Sequence, residues 1–144
     1  MGSLLQTYVR PGVSKIKGVG IIAIRNIPKG TFLGQTKKIA GRWKTIEWAR
    51  TKNVDPVVID LMQDYVCHYK HDISKHVFVP YEPFTEFQMQ LLMNHSTDPN
   101  VTITNNNCIV SIKDIYKDEE LTEDYLCVCG ENYVANRINA SKAS

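Results

Sequence analysis

The chain has 144 residues, 43% of them hydrophobic and 22% charged, with a formal net charge of +2. That length suits one domain with a modest core, and no apolar run approaches the ~20 residues that a membrane-spanning helix needs. The balanced charge excludes a broad basic field for gripping nucleic acid, so a basic partner would be drawn by a local acidic patch instead.

Residues 1–6 read as a tag or arm, and no secretory signal is read at the start. Residues 7–39 read as short strands broken by turns. The stretch 19–24 is rich in β-branched residues. Asn26-Ile27-Pro28-Lys29-Gly30 is a turn, and Thr31-Phe32-Leu33 resumes a strand. Trp43, Ile46 and Ala49 or Arg50 then recur at helical spacing, as do Val58, Leu61, Met62, Tyr65 and Tyr69. This predicts a helical insert over 43–70, with two helices broken near Asn53-Val54-Asp55-Pro56. Asp55 is placed to cap the second helix, with Pro56 at its first position. A short strand is expected over 76–79 and a helical turn over 84–93. A strand pair, 101–103 and 108–112, flanks the Asn105-Asn106-Asn107 turn. Residues 135–144 read as a C-terminal tail, small and polar after Asn139. The chain is thus mostly β (α+β) with a helical insert, and it holds no internal repeat or linker.

Lys117 to Asp124 holds five acids (Asp118, Glu119, Glu120, Glu123, Asp124), either a recruiting patch or a solvated turn. Lys37-Lys38 and Arg42-Trp43-Lys44 read as a solvated basic face, with no direct nucleic-acid contact expected. Cys67, Cys108, Cys127 and Cys129 are unevenly spaced and do not form a disulfide framework, which points to an intracellular, reducing setting.

Two strings carry the chemistry: Asn94-His95-Ser96-Thr97-Asp98-Pro99-Asn100 and Glu119-Glu120-Leu121-Thr122-Glu123-Asp124-Tyr125. A third element, Gly18-Val19-Gly20 before Ile21-Ile22-Ala23-Ile24, precedes them. In this order and spacing they resemble the SET domain, the fold of most protein-lysine methyltransferases, over roughly residues 7–134. The resemblance implies several small curved sheets, a helical insert and a C-terminal pseudoknot. It implies transfer of a methyl group from S-adenosylmethionine to a lysine, leaving S-adenosylhomocysteine. Lys17, Gly18, Val19, Gly20, Asn94 and His95 would hold the cofactor. Tyr125 would be the catalytic hydroxyl and would also touch the cofactor. Tyr133 would cap the adenine or the channel, and Tyr65 and Tyr81 would wall the substrate channel. Ser96 reads as a structural hydroxyl, since no base is placed to activate it.

Relatives that bind zinc here carry a cysteine after Asn-His-Ser and a Cys-x-Cys-x4-Cys further on. This chain has Thr97 at the first place and Val134 at the last. Cys127 and Cys129 remain, two of the four ligands a closed site needs, so no zinc is expected. Leu91-Leu92-Met93 stands where many relatives have Arg-Phe. By family analogy the substrate is a histone tail or a similar basic segment, which would place the protein in a nucleus. A chain this small gains support from self-association, which predicts a homodimer. The competing reading is a catalytically inactive SET-fold interaction or dimerisation module, which would have no need of the cofactor.

Overall fold

The computed structural model describes residues 7–66, 74–83 and 88–126. The chain divides into two compact units, one of Met1–Lys37 with Phe87–Asp124, the other of Lys38–Glu86 with Tyr125–Ser144.

The first unit holds two small sheets. One has the strand order β1 (Val9–Val13), β2 (Val19–Ala23), β9 (Glu120–Glu123), β6 (Asn94–His95). The other has the order β3 (Phe32–Gln35), β8 (Cys108–Ser111), β7 (Val101–Ile103). The Ile-Ile-Ala run of β2 is buried throughout, as a β-branched run between two neighbours should be. Ile21 faces Leu121 across the β2–β9 pair, and both are almost fully buried. Met93, Val101, Ile109 and Ile115 complete this core. Strand β9 runs antiparallel to β2 and parallel to β6. Its central place sets the second motif against the first.

In the second unit, β4 (Gly41–Thr45) pairs antiparallel with β5 (His76–Pro80). Helices α1 (Ile46–Thr51) and α2 (Pro56–Tyr65) pack with them around Ala49, Ile59, Met62, Val77 and Phe78. The Trp43 and Phe78 rings meet edge-on, with centroids 5.6 Å apart. Thr45 caps α1 by accepting from the Trp48 amide. Asp55 caps α2 by accepting from the Val57 amide at 2.9 Å, and Pro56 opens the helix. Asp55→Ala should therefore cost ~1 kcal/mol of stability, readable as a lower urea midpoint at unchanged slope.

The helical insert starts later than its spacing predicted. Trp43 lies in β4, because its backbone is claimed by the distant β5 strand, opposite Phe78. Tyr69 lies outside the described residues. The expected turn over 84–93 is a short helix, α3 (Met89–Leu92), with 84–87 outside the described residues. The C-terminal motif expected to thread the pseudoknot, Glu119 to Tyr125, lies within the described residues, and its strand β9 is inserted between β2 and β6. Among the described residues, no helix is long and apolar enough to cross a membrane.

Candidate cofactor and catalytic site

The turn before β2 is tied by Ser14. Its backbone amide donates to the Gly18 carbonyl at 2.8 Å, and its Oγ accepts from the amides of Ile16 and Lys17. Gly18 has φ +53°, a conformation L side chains rarely adopt, and a Cβ there would meet nothing within 4 Å. The backbone at this point stands open to a ligand.

Asn94 joins this turn to both motifs. Its Nδ2 lies 3.1 Å from the Lys17 carbonyl, 3.2 Å from the Val19 carbonyl and 3.2 Å from Glu120 Oε2. It also lies 3.0 Å from Ser14 Oγ, which itself donates to Glu120 Oε2 at 2.9 Å. One amide with two hydrogens thus serves several acceptors. The Glu120 carboxyl lies against Gly20, where a Cβ would come within 2.9 Å of it. Glu120 Oε1 is buried, with no hydrogen-bond partner among the described residues. Asn94→Ala would leave the Glu120 carboxylate one donor short and free two carbonyls. It should cost ~2–3 kcal/mol, measured by urea unfolding.

The second motif is clamped as firmly. Asn100 Nδ2 donates to the Glu120 carbonyl at 2.9 Å, and its Oδ1 accepts from the Thr122 amide at 2.8 Å. His95 pairs in register with Glu123, and its Nδ1 lies 3.8 Å from Asp124 Oδ1. Ser96 Oγ accepts from the Asp98 amide, a loop-shaping bond.

The acidic run is neither a continuous patch nor a solvated turn. Asp118 and Glu119 are exposed, but Glu120 is half-buried and Glu123 buried. Strand β9 carries these last two into the sheet, where pairing with β2 and β6 fixes their direction.

Of the residues expected at the site, Lys17, Gly18, Val19, Gly20 and Asn94 are brought into one cluster with Ser14 and Glu120, and His95 adjoins it on β6. Tyr125 is half-buried directly after Asp124 and belongs to the second unit. Tyr65 is half-buried at the end of α2. Tyr81 is 61% exposed, and its hydroxyl accepts from Arg42 Nε at 2.9 Å. Tyr133, Cys67, Cys127 and Cys129 lie outside the described residues. Among those described, no cluster of three or more His, Cys, Asp or Glu side chains could hold a metal, and Cys108 is a free thiol. Ser14 carries no local signal of a site, and Glu120 stands inside the second motif without a role of its own expected there; their meeting depends on distant strands pairing.

A profile of the SET domain matches residues 18–126. The chain belongs to the SET domain family. Two solved structures are similar to this chain. A candidate histone methyltransferase of Plasmodium falciparum matches with 21% identity and a TM-score of 0.46, over 83% of this chain and 93% of that one. A humanized mutant of the Chaetomium thermophilum Polycomb Repressive Complex 2, bound to an inhibitor, matches with 18% identity and a TM-score of 0.52. That match covers 90% of this SET chain but only 16% of the other. No curated protein sequence matches.

The residues present fit the family's cofactor, S-adenosylmethionine. Its amino-acid end carries an ammonium that suits the unpaired Glu120 oxygen. The open backbone at Gly18 admits close approach, and the turn is already braced by Asn94.

Proposed function

We propose that this chain is an S-adenosylmethionine-dependent protein-lysine N-methyltransferase, acting on a basic, histone-tail-like segment. The observation that carries the reading is the Asn94 amide. It ties the glycine turn, the first motif and the second motif into one braced cluster with an unpaired carboxylate oxygen. A dead interaction module would have no use for that oxygen.

S-adenosylmethionine, when bound, supplies an electrophilic methyl group on a sulfonium. The chain's own residues do the rest. Lys17 to Gly20, Asn94 and His95 would position the cofactor, with Tyr133 closing over it. Tyr125 would turn its hydroxyl to the lysine nitrogen and orient its lone pair. Alignment at ~3 Å, without a covalent enzyme intermediate, is what such an in-line displacement requires. Tyr65 would wall the lysine channel by apolar and cation–π contact, and exposed Tyr81 suits its mouth. The acceptor segment would add as a strand to a sheet edge.

Incubation with S-adenosylmethionine and core histones, followed by intact-mass and peptide mass spectrometry, tests the reading. A methyl gain on one lysine is expected, and it would also support a nuclear site of action. No transfer together with no cofactor binding by calorimetry would favour the inactive module. Light scattering on the same preparation tests the proposed homodimer.

A further inference from the structure

Glu123 ends β9 and is only 4% exposed. Its Oε2 is buried, and among the described residues no donor reaches it. Buried carboxyls are ordinarily paired or hydrogen-bonded, because stripping water from them is costly. The strands packed on β9 offer no cation that would explain this one. Strands β2 and β7 carry no titratable side chain. Strand β6 carries only His95, whose Nδ1 lies 3.8 Å from Asp124. Glu120, the other acid of β9, is engaged with Ser14 and Asn94. Burial pushes the Glu123 carboxyl up to about 8, so at neutral pH it is mostly protonated. The backbone around it is held on both sides, since the Ser96 amide donates to its carbonyl at 3.0 Å and Asn100 clamps Thr122. Asp124 and Tyr125 follow directly. An unpaired buried acid in this place lacks a partner that the proposed reaction supplies: a lysine ammonium entering without its water.

We propose that the Glu123 carboxyl receives the ammonium of the acceptor lysine and takes its proton before methyl transfer. The inference rests on the methyltransferase reading and adds a residue to it. At pH 7 the resting carboxyl holds its own proton, so entry of the ammonium expels one proton to solvent. The proton that stays moves from nitrogen to oxygen. An N–H bond breaks, an O–H bond forms, and the amine keeps the electron pair. The pair is neutral overall, as a water-excluded site demands. A carboxyl titrating near 8 and a desolvated lysine depressed from ~10.4 are matched for this exchange.

The test is a carboxyl-carbon NMR titration of the Glu-labelled full chain, saturated with S-adenosylhomocysteine. It is run with and without excess acetyl-lysine methylamide. Glu123→Gln assigns the resonance, or Glu123→Asp if the glutamine variant does not fold. The lysine probe should lower the Glu123 midpoint by about one pH unit or more, while acetyl-norleucine methylamide leaves it in place. A midpoint unmoved by the lysine probe, or moved equally by norleucine, overturns the inference and leaves a merely structural acid. Calorimetry on the same sample separates the two claims. Cofactor binding with an unmoved midpoint counts against Glu123 alone, and absent cofactor binding overturns both.

Discussion

Tyr125→Phe should lower methyl transfer by about 10²–10³-fold, the usual loss when one aligned hydroxyl or amide donor is removed. The substitution keeps the ring and removes only the oxygen, so packing around this half-buried residue should persist. Asn94, Lys17 and Glu120 form their hydrogen-bonded cluster without it, so loss of the hydroxyl's own cofactor contact should lower cofactor affinity far less than the rate. The physical reason for a large kinetic effect lies in the acceptor. A lysine of pKa ~10.4 costs about 4–5 kcal/mol to deprotonate at pH 7, and the freed lone pair must then point along one line. Single-turnover transfer to core histones, with calorimetric affinity alongside, measures both quantities. Full activity in the variant would remove Tyr125 from the reaction.

Glu123→Gln should flatten the pH dependence of stability between about pH 4.5 and 8 and make the domain more stable at the upper end. Folding raises the Glu123 pKa from 4.5 to about 8, because its charged form is desolvated. The folded chain therefore holds a proton that the unfolded chain releases as pH rises past 4.5. This group's favourable contribution is complete below 4.5 and is lost progressively until the folded carboxyl itself ionises near 8. Across that window the loss is roughly 5 kcal/mol, a large part of the 5–15 kcal/mol a domain commonly has. Glutamine has nearly the same shape and no proton to lose. Urea midpoints at a series of pH values compare the two chains. Parallel curves would show that Glu123 does not titrate as its burial implies.

A carboxyl whose burial costs this much at neutral pH carries a penalty that Leu or Phe would avoid. The same feature underlies the proton-accepting role proposed for it. Both effects start from the burial of this carboxyl, whose Oε2 meets no donor among the described residues.

The family was legible from residue types and their order alone. Asn94-His95 and Glu119 to Tyr125, with Gly18-Val19-Gly20 upstream, are chemistry-bearing strings that few other folds would hold in that sequence. The cap at Asp55-Pro56 was equally legible, because a helix start is decided by groups within one turn. Trp43 was not, because its helical spacing to Ile46 was local while its strand pairing with β5 is distant. Glu120 and Glu123 were read as surface charge for the same reason. Nothing near them in the chain states that β9 will be inserted between β2 and β6. Residue types and spacing determined the family to which this chain belongs. Only tertiary pairing decided that one acid joins the Asn94 and Ser14 bonds at the glycine turn while the other is buried with no donor to its Oε2 among the described residues, because burial and register are set by strands remote in sequence.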